Sequence, residues 1–333
     1  MAYKAIKTVI ILIIFCLSII FSIPIVIIST ALSSFGNIYK SIQFYYNPST
    51  PTFSNGLNID IDIGEVEIEY ITDPVSYYAK IDISIEMNGQ SLAGKSYLDY
   101  FNIAWQNTSS LLYFTMNLKT GIDKVKILSL IKSIDVNIAL KADVIYDIDI
   151  RVSIKGGARI SVPYGVSVGN IEANVSRGNI KYNFFYCLLE GNISAIINDR
   201  GDLEMKNYDI KYTQNSTWTL YTKKGNIHIE ISQTKATNAN IIGNITIITG
   251  NYRLTYIDNT DEVGAYFILY VHPDDYAINQ KIAELVGFAY YVTTVNGTDV
   301  YHLTSDDYPA QYNYNLLFNF PIGMYEELEL QNT

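Results

Sequence analysis

The chain has 333 residues, 49% of them hydrophobic and only 17% charged, with 29 tyrosines and a formal net charge of −10. That length buries a substantial core in one or two domains, and an acidic chain with no basic stripe argues against a nucleic-acid partner. Cys16 and Cys187 lie far apart and His228, His272 and His302 are dispersed, which excludes a disulfide framework and a zinc cluster.

Lys4 and Lys7 precede an apolar run from Val9 to Ile28, broken only by Ser18, Ser22 and Pro24. About 20 such residues make a helix of about 30 Å, enough for one bilayer crossing. The basic flank predicts a cytoplasmic tail at 1–8, a transmembrane signal-anchor helix at 9–32 and an exterior remainder. Small residues near Ser29–Ser33 leave cleavage as the alternative. The expected location is therefore the plasma membrane, in a single pass. Sequons at Asn107, Asn174, Asn192, Asn215, Asn244 and Asn296 are the N-glycosylation acceptors that export would expose.

Residues 33–55, with Gly36, Pro48 and Pro51 among polar residues, read as a stalk. Strands follow. Leu57, Ile59, Ile61 and Ile63 alternate with polar residues up to Gly64, and Val66, Ile68 and Tyr70 resume the pattern. Ile127, Leu130, Ile131 and Ile134 match a helical stripe within 122–134, in a context otherwise rich in strands. Clean alternation returns at 144–154.

A recurring step then dominates, Gly-Asn/Asp followed by an apolar residue, at Gly169, Gly178, Gly191, Gly201, Gly225, Gly243 and Gly250. Glycine supplies the unusual dihedral of a tight turn, and the apolar residue opens a strand with one inward face. The gaps between these glycines are irregular, 9, 13, 10, 24, 18 and 7 residues. The pattern predicts an all-β domain over 56–260. Its form is a β-solenoid-like stack of short strands, an irregular β-helix, with an antiparallel meander as the open alternative. Residues 261–333 read as an α+β C-terminal cap or separate module, with a helix opened by Pro273-Asp274-Asp275.

The run Leu57-Asn-Ile-Asp-Ile-Asp-Ile-Gly-Glu-Val-Glu-Ile, then Ile160-Ser-Val-Pro-Tyr-Gly-Val-Ser-Val, then the Gly-Asn-Ile steps, together resemble the putative-adhesin family over about residues 57–256. The resemblance implies an exported or membrane-tethered β scaffold and supplies no catalytic residues. The irregular gaps, the stripe at 122–134 and the C-terminal stretch depart from it.

Three chemistries compete with structural roles. Gly165-Val-Ser167-Val-Gly169 matches the serine-hydrolase elbow, but a strand pattern follows where that motif needs a helix. Asp199, Arg200 and Asp202, with Lys206, Arg177 and Lys181, could form the charged face of a polysaccharide-acting solenoid enzyme; turn residues are more commonly solvated charges. The acidic pairs Asp60/Asp62, Asp147/Asp149, Asp274/Asp275 and Asp306/Asp307, and the group Asp258/Asp261/Glu262, invite calcium, yet no EF-hand or nonapeptide repeat accompanies them. The expectation is a non-catalytic surface protein with no cofactor and no catalytic or metal residues. It would bind an extracellular glycan or envelope protein, or self-associate as an envelope subunit, and Gly64 and the repeat glycines would serve as structural turns.

Overall fold

A computed structural model describes residues 36–47, 54–73, 76–108, 110–233, 237, 239–258, 263–271, 288–296, 298–319 and 328–332. The transmembrane helix expected at 9–32 and the helix expected after Pro273 lie outside the described residues. No helix among the described residues is long and apolar enough to cross a membrane.

The fold is almost entirely β. Among the described residues, twenty strands join one mixed sheet and three short ones form a second. Two 18-residue strands, β2 (Ser54–Ile71) and β7 (Ile145–Val162), run parallel in two blocks, with a register shift between Ile61 and Ile63. The phase change follows from the sequence: Ile61 and Ile63 point inward, Gly64 takes φ +140°, and inward packing resumes at Val66. β5 (Leu111–Leu118) and β6 (Ile131–Lys141) pair in parallel with the first and second halves of β2. β4 (Phe101–Asn107) is antiparallel to β5.

Residues 36–46 are not a stalk. They form β1 (Gly36–Tyr46), antiparallel to β3 (Ala79–Gly89), which in turn pairs with β6. Burial explains the correction: Ile38 and Tyr46 are buried, and the Tyr46 hydroxyl donates to the Thr108 carbonyl at 2.8 Å. The stripe at 122–134 is divided. Asp123 caps a short helix, α1 (Lys124–Leu130), accepting from the Val125 and Lys126 N–H groups, and from Ile131 onward pairing with β2 and β3 imposes a strand.

After β7 the chain winds in coils. One face holds β9 (Ile171–Arg177), β12 (Ile193–Arg200), β15 (Ser216–Lys224) and β17 (Ile241–Thr249). A second holds β10 (Ile180–Phe185), β13 (Leu203–Tyr208), β16 (Ile227–Gln233) and β18 (Tyr252–Asp258). Three two-residue strands, β8 (Ser167–Val168), β11 (Leu188–Leu189) and β14 (Lys211–Tyr212), make the third. Every pairing among these strands is parallel, so the chain here is not an antiparallel meander.

Like positions stack in register. Ile148, Ile171, Ile193 and Trp218 make one inward column, and Ile160, Tyr182, Met205, Ile229 and Leu254 another. All are essentially buried, each contributing roughly 1.5–3 kcal/mol by leaving water. Gly243 corrects the expectation of a turn: it lies inside β17, where a Cβ would come within 2.5 Å of the Leu316 side chain. Its missing side chain makes room in the column occupied by Trp218 and Leu316.

The described C-terminal residues continue the stack. β22 (Tyr312–Asn319) adds in parallel to β17 and β23 (Leu328–Asn332) to β18. β19 (Val263–Val271) pairs with β22 and, antiparallel, with β21 (Thr298–Ser305), which pairs with β20 (Phe288–Val295). The expected α+β module is thus, in its described part, strands that satisfy the open edges of β17 and β18.

Candidate functional site: the glycine corner

The corner between the first and second faces is built on a ladder of glycines. Gly64, Gly156, Gly178, Gly201, Gly225 and Gly250 all have φ between +140° and +157°. From Gly156 onward, an added Cβ would sit 1.6–2.0 Å from the carbonyl oxygen of the glycine one coil earlier. Only glycine permits both the dihedral and that approach. Gly169 and Gly191 mark a different corner, where Asp147, Asn170 and Asn192 stack.

The residue after each glycine ties one coil to the next. The Asn179 side chain accepts from the Asp202 N–H at 2.9 Å, Asp202 from Asn226 at 2.8 Å, and Asn226 from Asn251 at 3.2 Å. At the other corner the Asp147 carboxylate accepts from the Asn170 N–H, Asn170 from Asn192, and Asn192 from Thr217. A third series links Asn215, Asn240 and Asn313. Corner N–H groups left outside the strand ladders are satisfied this way.

The residue before each glycine is basic in four successive coils: Lys155, Arg177, Arg200 and Lys224. The Gly178 N–H donates to the Arg200 carbonyl and the Gly201 N–H to that of Lys224, each at 2.9 Å, holding consecutive cations on adjacent strands. Together with Glu65, Asn179 and Asp202 they line an open groove of about 530 Å³. A chain with no basic stripe in its linear order acquires one on folding.

Of the charged set expected from sequence, the structure brings together Arg177, Asp199, Arg200 and Asp202 at this corner. Arg177 pairs with Asp199 at 2.5 Å, and that guanidinium holds the carboxyl below the usual range. Lys181 and Lys206 lie on the outer second face, both paired with Glu204, at 2.8 and 3.4 Å; Lys181 lowers the Glu204 pKa, with Lys206 adding to it. Glu65, Lys155 and Lys224 were missed, although the basic-Gly dipeptide at coil spacing was a usable signal. Glu65 is exposed, yet loss of hydration, reinforced by Asp135, raises its pKa.

The other candidates have structural surroundings. Ser167 sits in β8 and is followed by β9, with no helix to supply an oxyanion hole. Asp62 accepts from the Leu118 N–H at 2.7 Å, and Asp149 pairs with Arg151 at 3.0 Å. Cys187 is buried and its thiol is pushed up to about 12 by loss of hydration, which suits packing rather than nucleophilic chemistry. Among the sequons, Asn107 ends β4 and Asn296 sits at φ +52° in the turn between β20 and β21, both exposed; the Asn192 and Asn215 side chains serve the corner ladders. The Asn174 and Asn244 carbonyls accept from Asn198 and Asn319.

No family model matches the chain, and no curated protein matches it. Among solved structures it is similar to a putative cell adhesion protein from Clostridium sporogenes ATCC 15579, at 11% identity over 89% of this chain and 100% of that one, with a TM-score of 0.34. A putative adhesin from Bacteroides fragilis NCTC 9343 is similar at 9% identity over 89% and 97%, with a TM-score of 0.37. A putative lipid binding protein from Parabacteroides distasonis ATCC 8503 is similar at 12% identity over 66% and 89%, with a TM-score of 0.27. Likenesses this distant assign neither ligand nor partner.

Proposed function

We propose that this chain is a membrane-anchored cell-surface β-solenoid that binds an extracellular or envelope partner without catalysis. Residues 9–32 would cross the bilayer once, with 1–8 in the cytoplasm and the β stack outside. The observation that carries the binding role is the repetition of one exposed side-chain type per coil along the glycine corner, on a backbone locked by in-register pairing. Rigid stacking lets such a column meet a partner with little ordering cost. Asn107 and Asn296, exposed at turns, are the acceptors best placed for glycans.

Protease digestion of intact beside lysed cells tests the placement. Loss of the β domain in intact cells is expected; protection until lysis, in cells without an overlying envelope, would overturn the surface role. A second reading, self-association, is favoured by β20, which pairs only with β21 among the described strands and exposes Tyr290, Tyr291, Val292 and Val295. Concentration-dependent assembly would support it, and a strict monomer would count against it.

A further inference from the structure

Charge is arranged differently on the corner and on the face beside it. The outer column of the second face reads Glu67, Arg159, Lys181, Glu204, His228 and Arg253 in register, mixing acids with bases, and Arg159 pairs with Glu67 and Lys181 with Glu204. The corner column is uniformly cationic. Of Lys155, Arg177, Arg200 and Lys224, only Arg177 has a carboxylate within 4.0 Å among the described residues. Like charges on neighbouring strands work against folding, so this column does nothing for stability that the mixed column would not do better. It stands on a protein of net charge −10, which makes it the local exception.

Its spacing and company narrow the ligand. Adjacent strands lie about 4.8 Å apart, close to the length of one sugar in an extended chain. Arginine forks receive carboxylates in two-point fashion. The groove also contains Asn179, whose amide hydrogen-bonds hydroxyls, and the carboxylates of Asp202 and Glu65, which accept from hydroxyls and oppose a densely charged polyphosphate more than a polymer carrying one carboxylate per sugar. The exposed Arg177–Asp199 pair is cheap to open.

We propose that the glycine corner binds a linear acidic polysaccharide lying along the stacking direction, its carboxylates on Lys155, Arg177, Arg200 and Lys224 and its hydroxyls on Asn179 and Asp202. The proposal rests on the binding role above and names its ligand class.

The test uses the full chain in detergent micelles over immobilised polygalacturonate, with dextran as the neutral control. Binding that weakens with added salt is expected, with none to dextran. The triple variant Lys155→Gln, Arg200→Gln, Lys224→Gln should lose at least about tenfold in affinity while its thermal unfolding temperature does not fall. The triple variant Lys95→Gln, Lys124→Gln, Lys126→Gln, equal in net charge, should bind as the parent does. No binding to polygalacturonate at low salt, equal losses in both variants, or tighter binding to inorganic polyphosphate would each overturn the assignment. Such a failure leaves the protease result standing. Conversely, protection in intact cells would sink the surface role even if the polymer bound.

Discussion

At the scale of single residues, the corner glycines are the least replaceable positions. Gly201→Ala places a Cβ 1.8 Å from the Gly178 carbonyl at φ +157°, whereas Gly165, at φ +76°, has open space around it. Urea unfolding should show Gly201→Ala losing about 3 kcal/mol or more and Gly165→Ala about 1 kcal/mol; equal losses would contradict the ladder. His302 gives a pH signature. Its Nδ1 meets the Tyr266 hydroxyl at 2.7 Å, its Nε2 meets that of Thr293 at 2.8 Å, and its ring stacks on Tyr291 at 4.4 Å. Loss of hydration lowers its pKa. The neutral form is therefore favoured on folding, and its stabilising contribution is complete above about 6.5 and falls away as pH drops through that value toward the folded pKa. Thermal unfolding from pH 8 to 5 should show this loss, with a shallower slope in His302→Gln; an unchanged slope would remove His302 from the account.

At the scale of elements, the in-register corners hold coil to coil. Asn179→Ala removes the acceptor of the Asp202 N–H and should cost about 1–2 kcal/mol in urea unfolding, while Asn179→Asp keeps the acceptor and most of the stability. The strands themselves were legible in sequence because inward and outward residues alternate cleanly, as in Ile227-His228-Ile229-Glu230-Ile231. The irregular glycine gaps were legible, but their cause was not. They interleave two corners: Gly169 and Gly191 belong to one, where linked residues are 22 apart, and Gly178, Gly201, Gly225 and Gly250 to the other, where they are 23 to 25 apart. Gly243 broke the series because it packs under Trp218 inside a strand, a tertiary reason invisible in a local motif. The basic residue before Gly156, Gly178, Gly201 and Gly225 was readable too, once the two series are separated.

At the scale of the whole molecule, what escaped the sequence is long-range. β1 looked like a polar, proline-flanked stalk because only Ile38 and Tyr46 of its residues are fully buried, and its partner β3 lies beyond β2. β22 rejoins the stack on β17 across 73 residues, as between Asn240 and Asn313, a distance over which no periodicity survives. The cation column is a product of the same stacking, since Lys155 and Lys224 are far apart in sequence and share one groove in the fold.

In-register parallel stacking is therefore the claim on which the rest depends, and pairwise cysteine cross-linking tests it directly. Ser194 on β12 lies opposite Thr219 on β15, about 4.8 Å away and within disulfide reach, while Tyr221 is one diagonal further along. In a Cys16→Ser, Cys187→Ala background, mild oxidation should close Ser194→Cys with Thr219→Cys rapidly and Ser194→Cys with Tyr221→Cys poorly. Preferential closure of the Tyr221 pair, or no closure of either, would contradict the stack.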